Sequence, residues 1–142
     1  MLDDQLKAEI QDGYRQFLNS KELKPRYGQR LMIAHIARCL SNIKTDIEGK
    51  RDRDSAEPHI CVVEAGTGTG KTLAYALAAI PVARAMGKSL VISTATVALQ
   101  EQIVQRDLPD IRMHSGLRFN FRLAKGRGRY LCLSKLDGHL GG

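Results

Sequence analysis

Apolar residues fall at helical spacing through the opening of the chain. Leu6, Ile10, Tyr14, Phe17 and Leu18 share one face between Asp3 and Leu18, behind acidic residues suited to a first helical turn. Asn19 to Gly28 contains Pro25 and Gly28 and reads as a connection. Met32, Ile33, Ile36, Ala37, Leu40 and Ile43 then form a second stripe, predicting a helix from Gln29 to about Lys44. From Asp46 to Pro58 both signs of charge crowd together with almost no apolar content, the pattern of an exposed loop.

The periodicity changes after that loop. His59 to Glu64 (HICVVE) and Ser89 to Thr94 (SLVIST) are short, β-rich and too apolar for half-exposed strands, so both are expected as buried parallel strands. Between them Lys71 to Met86 is rich in Ala and Leu, and Gly87 marks a helix stop. Pro81 lies inside that helix, where it removes a backbone donor, so a kink or break is expected there. Ala95 to Gln105 predicts another short helix, and Leu117 to Ala124 is a candidate third strand. Strand, glycine-rich loop, helix and strand make a right-handed βαβ unit. The expected fold class is therefore α/β with a parallel sheet, preceded by a helical lead-in over residues 1–28. Residues 29–142 would form the main domain.

The loop itself carries the clearest chemistry. Glu64 to Thr72 reads EAGTGTGKT, with Ala65 where the phosphate-loop pattern has its first glycine. Gly66, Gly68 and Gly70 let the backbone turn its amides inward around an anion, with Thr67 and Thr69 between them. The helix that follows directs its N-terminal partial charge to the same place. Lys71 is expected to reach the β- and γ-phosphates of a nucleoside triphosphate, and Thr72 to place its hydroxyl on Mg²⁺. The bland reading, a Gly/Thr-rich turn with a chance lysine, is disfavoured by the expected flanking strand and helix. Neither the Asn-Lys-x-Asp base-reading element of a GTPase nor the Leu-Ser-Gly-Gly-Gln signature of an ABC ATPase occurs.

Charge adds a second partner. The net charge is +7. From Asp110 to Gly142 seven Arg and Lys face two Asp, so this stretch holds +5 of that total. Nucleic acid is the commonest polyanion such asymmetry serves, although a solvated basic tail has the same composition. The chain contains three cysteines without paired spacing, which argues against a disulfide framework. Cys39 and Cys61 sit in apolar stretches and are expected in the core. No run reaches the ~18 apolar residues of a membrane span. The acidic, amphipathic start lacks the form of a signal peptide, so no membrane partner and a cytoplasmic location are expected.

Four segments, in order, resemble the DinG family of bacterial DNA helicases, the XPD-like branch of superfamily two. They are PRYGQRLMI (Pro25 to Ile33), EAGTGTGKTLAY (Glu64 to Tyr75), STATVALQEQI (Ser93 to Ile103) and KGRGRYLC (Lys125 to Cys132). The resemblance implies a RecA-like ATP-binding domain, with Gln29 and Arg26 at the adenine base. It implies that Thr94, Thr96 and Gln100 grip the backbone of single-stranded DNA; the threonines also suit a helix cap, and both roles are compatible. Arg127 and Arg129 flank Gly128 and suit DNA backbone, a neighbouring domain or plain solvent. Cys132 matches the first ligand of the family's four-iron four-sulfur cluster, whereas Leu133 departs from the proline often found there. Such a cluster needs four cysteines, so these residues alone are not expected to build one.

The same resemblance defines what is missing from these residues. No apolar run is followed by the Asp-Glu of motif II, and no second RecA-like domain with its arginine finger is present. The expectation is an N-terminal fragment of an ATP-dependent, 5′–3′ DNA helicase that binds ATP and Mg²⁺ and lacks activity alone. Its ending, DGHLGG, does not resemble the family's continuation. No protein partner is inferable. Two rivals stand beside it: a small P-loop phosphotransferase, and a non-enzymatic nucleotide-binding module.

Overall fold

The computed structural model describes residues 2–52 and 59–141. Helix α1 (Asp4–Ser20) starts where the Asp3 side chain accepts a hydrogen bond from the Leu6 amide at 2.7 Å. Its buried residues are the expected Leu6, Ile10, Tyr14, Phe17 and Leu18, with Gly13. Helix α2 (Tyr27–Ser41) begins after Pro25, two residues before Gln29, and buries Gln29, Met32, Ile33 and Ala37.

Helix α3 (Lys71–Ala85) is the centre of the fold. Ala74 and the run Ala76 to Val82 are all buried, so the helix is covered on several sides, not along one stripe. Its small side chains let α1 and α2 pack closely against it. The expected break at Pro81 does not occur, and α3 continues through it. Pro81 is itself fully buried in this core, whose packing holds the helix across the lost hydrogen bond.

The next helical stretch is longer than its sequence pattern suggests. Helix α4 (Val97–Gln102) passes into a π-helical turn (Ile103–Asp107) and then helix α5 (Leu108–His114). Pro109 cannot donate to the carbonyl four residues back, and the widened turn carries the helix past that gap. Leu108 and Ile111 of this stretch are buried, and Ile111 joins the core of α1, α2 and α3 together with Leu117. A single 3₁₀ turn (Arg127–Arg129) and helix α6 (Leu133–Leu140) follow, both without buried residues.

The expected parallel sheet is the principal correction. Among the described residues no strand or ladder forms, and the one β-pairing is an isolated antiparallel bridge, Thr45 to Arg51. The three predicted strands, 59–64, 89–94 and 117–124, are present only as non-helical segments. The apolar side chains of the first two are largely open, with Ile60 70% exposed, Val62 89% and Val91 86%, whereas Leu117 of the third is buried against the helices. The α/β, RecA-like assignment therefore fails for this structure, which is helical. A strand leaves its backbone groups unpaired unless another lies alongside, and none of these segments gains such a neighbour. The predicted loop at 46–58 is a tight turn over its described part, with Asp46 Oδ1 accepting from the Glu48 and Lys50 amides at 2.9 and 2.8 Å. Residues 53–58 of that loop lie outside the described residues.

Candidate functional site

The loop from Gly66 to Gly70 ends in a left-handed residue. Gly70 has φ +73° and precedes α3 directly, and Gly68 has φ +79°. Gly66 needs no such freedom, so only two of the three glycines are required by backbone conformation. Thr69 closes the loop by donating from its hydroxyl to the Gly66 carbonyl at 2.7 Å. The Lys71 ammonium folds back and donates to the Ala65 carbonyl at 2.7 Å and to Gly66 at 3.4 Å. It is exposed, in the first turn of α3, where it can exchange these neutral acceptors for phosphate oxygens.

Thr72 stands one residue further, half-buried and near the Tyr75 hydroxyl. Burial pushes the Tyr75 hydroxyl above its ordinary pKa; the neighbouring Thr72 side chain opposes this, and the Asp107 carboxylate adds to the rise. Tyr75 therefore stays protonated at neutral pH. Magnesium in nucleotide sites takes one or two protein oxygens, the remainder coming from phosphates and water, and Thr72 is the residue here that fits.

Arg26 and Gln29 reach the same loop from the start of α2. The Arg26 guanidinium donates to the Gly68 carbonyl. The Gln29 amide nitrogen donates to the Thr69 and Gly70 carbonyls, each at 3.2 Å. Three successive carbonyls of the loop are thus held by two side chains. A Cβ at Gly70 would displace the end of the Gln29 side chain, and the left-handed φ favours glycine there in any case. The Gln29 oxygen accepts from the Tyr14 hydroxyl at 2.8 Å. By spacing Tyr14 is one position of an apolar stripe, and nothing in the pattern distinguishes its hydroxyl from a merely tolerated one.

The candidate DNA contacts form a second group. Thr96 caps α4 by accepting from the Leu99 amide at 3.2 Å, and Thr94 donates to the Thr96 carbonyl at 3.0 Å. Gln100 donates to the Ala124 carbonyl at 3.2 Å and accepts from Arg129 at 2.6 Å. Arg129 also faces Glu101 at 3.6 Å, while Arg127 is exposed. The fold therefore joins two stretches separated in sequence, Thr94–Gln100 and Arg127–Arg129. An open groove of about 640 Å³ runs beside them, touching Thr94 and Gln100 and walled by Leu90, Ile92, Phe119 and Phe121.

The cysteines do not converge. Cys61 is exposed and Cys39 half-buried, so neither is the core thiol expected of it; Cys61 sits on an uncovered segment. The two are neighbours, and desolvation, then the nearby Cys39, push the Cys61 thiol up. Cys132 is exposed at the N-cap of α6. No group of three or more metal-binding side chains occurs among the described residues, and the whole chain has three cysteines against the four a cubane cluster takes. These residues do not fit an iron–sulfur cluster.

The glycine-bounded loop that feeds a helix beginning with Lys-Thr is the arrangement of nucleotide-phosphate-binding proteins. The DEAD/DEAH box helicase model matches residues 35–132, well over half of the chain, and the chain belongs to that family. Among similar proteins is the ATP-dependent DNA helicase DinG of Photobacterium profundum, 42% identical over 139 residues. That alignment covers 96% of this chain and 18% of the relative. The proteins of the same name from Salmonella typhimurium and Escherichia coli (strain K12) are 43% and 41% identical over 129 residues. Those alignments cover 89% of this chain and 16% of each relative. The chain thus spans less than a fifth of the length of the curated relatives it matches. Among the described residues no helix is long and apolar enough to cross a membrane.

Proposed function

We propose that these residues bind ATP with Mg²⁺, and single-stranded DNA, as the nucleotide-binding portion of a DinG-like DNA helicase acting in the cytoplasm. The observation that carries this reading is the loop geometry: Gly68 and Gly70 in left-handed conformation, with the Lys71 ammonium resting on the loop's own carbonyls. In the proposed complex the backbone from Ala65 to Gly70 (Ala65, Gly66, Thr67, Gly68, Thr69, Gly70) surrounds the phosphates. Lys71 would move from Ala65 onto their outer oxygens, and Thr72 would hold the metal, whose charge would offset that of the phosphates.

Arg26 and Gln29 are assigned to the base side. Gln29 has its amide committed to Thr69 and Gly70, so adenine contact requires it to share or exchange those bonds. Thr94, Thr96, Gln100, Arg127 and Arg129 are assigned to the DNA backbone, supported by the junction of Gln100 with Arg129. Polarity from 5′ to 3′, and Cys132 as one cluster ligand completed by cysteines outside these residues, rest on family resemblance. The partial ATP-binding domain is assigned to residues 29–142. Residues 1–28 form its lead-in and share one core with it.

Titration with a fluorescent ATP analogue tests the reading. The wild-type chain should bind, and Lys71→Ala should lose affinity by about 100-fold, the typical scale of a removed charge-assisted phosphate contact. Equal affinity in the variant would remove the phosphate-loop assignment.

A further inference from the structure

Tyr14 is 9% exposed, on a helix that contributes no residue to the phosphate loop, yet its hydroxyl is the junction of two paths into that loop. It donates to Gln29 Oε1 at 2.8 Å and accepts from the Arg26 amide at 3.2 Å. Gln29, 5% exposed, passes the restraint to Thr69 and Gly70, and Arg26 passes it to Gly68. A primary amide can rotate about its terminal torsion, which is broad and soft. With the Gln29 oxygen fixed by Tyr14, the nitrogen has one direction left, toward the loop carbonyls.

We propose that Tyr14 is a positioning residue of the phosphate loop, acting through Gln29 and through the Arg26 backbone. It holds the Gly68–Gly70 carbonyls downward, so that the amides on the opposite edge of those peptides remain turned toward the anion. The proposal rests on the phosphate-loop reading for its effect on nucleotide. The restraint of the loop itself does not depend on that reading.

Tyr14→Phe keeps the ring and deletes only the hydroxyl, leaving the Gln29 oxygen and the Arg26 amide without their partner. Amide hydrogen exchange is read without nucleotide on peptides covering residues 66–72, alongside residues 32–40 of α2. Exchange at the loop should accelerate about tenfold in Tyr14→Phe, with α2 unchanged, as expected when a buried polar group loses its partner. Affinity for the fluorescent ATP analogue should fall about five- to tenfold on the same grounds. Ile10→Val, which trims the same helix face away from the hydroxyl, is the control for general destabilisation and should leave loop and affinity alone. Gln29→Glu keeps an acceptor for Tyr14 but removes the donor to Thr69 and Gly70, and should also release the loop. In the Gln29→Ala background Tyr14→Phe should add only the smaller part that passes through the Arg26 amide. Unchanged loop exchange in Tyr14→Phe, or the full effect persisting when Gln29 is absent, would overturn the relay. A released loop combined with a Lys71→Ala variant that binds ATP normally would leave the relay standing and remove the nucleotide reading instead.

Discussion

The helical layer of α1, α2 and α3 and the non-helical apolar segments 59–64 and 89–94 have similar hydrophobic content but opposite fates. In the first, Leu6, Phe17, Met32 and Leu77 are all buried. In the second, Ile60, Val62 and Val91 face solvent. The difference lies in where backbone hydrogen bonds come from. A helix satisfies its amides within its own sequence and needs company for one face only. A segment such as HICVVE must borrow partners for its backbone and cover for both faces, and without them its apolar side chains remain exposed.

The widest separation between the two regions should appear in stability. Leu77 is fully buried at the centre of α3, and Leu77→Ala should cost about 2–5 kcal/mol in denaturant unfolding. A loss under ~1 kcal/mol, well below the usual range for truncating a buried leucine, would mean that α3 is not the centre of the core.

A slightly smaller effect is expected where the two regions meet, at the loop between segment 59–64 and α3. Adenine selection there should depend on the helical layer. Gln29→Ala should bring the affinities for ATP and GTP within about twofold of each other, while a wild-type preference of about tenfold is expected from a side chain able to donate and accept. Wild-type chain binding both nucleotides equally would detach Gln29 from the base.

What the sequence reveals follows the same division. The buried faces of α1 and α2 could be read largely from spacing, and Thr96 acts as the cap its position suggests. The loop was legible because Gly68, Gly70, Lys71 and Thr72 carry local requirements: two left-handed residues, then a cation and a hydroxyl at a helix start. The sheet was not, because strand-like composition states a preference for a pleated surface and cannot supply the neighbouring strand. Passage of the helix through Pro81 and Pro109 was also hidden, since proline's cost is local and its compensation here comes from packing and a widened turn. The Tyr14–Gln29 bond joins residues fifteen positions apart on different helices, and spacing does not encode it.

Nucleic-acid binding should give a graded effect. Single-stranded DNA is expected to bind without sequence preference, with affinity falling as salt rises. Arg127 is exposed, whereas Arg129 is already engaged by Gln100 and Glu101. Arg127→Gln should therefore reduce the slope of log affinity against log salt by about 0.7, the increment for one phosphate contact on a single strand. Arg129→Gln should act differently, freeing Gln100 as well as removing charge. Identical slopes in both variants and the wild type would exclude these arginines from the DNA surface.

The smallest predicted effect is the sharpest check on the comparison. Val91 is 86% exposed in segment 89–94, beside the groove walled by Leu90, Ile92, Phe119 and Phe121. Val91→Thr exchanges a methyl for a hydroxyl of nearly the same size and keeps the β-branch. At an exposed position that change falls within about ±0.5 kcal/mol, because no apolar area is uncovered and the new hydroxyl remains hydrated. In a covered strand it would place a hydroxyl in an apolar layer without a partner, at about 1–3 kcal/mol. Denaturant unfolding of Val91→Thr beside Leu77→Ala therefore reads the covering of this segment directly. A near-zero shift supports the exposed arrangement. A loss of about 2 kcal/mol, within the range for an unpaired buried hydroxyl, would show that Val91 is covered in solution and that the contrast between the two regions fails there.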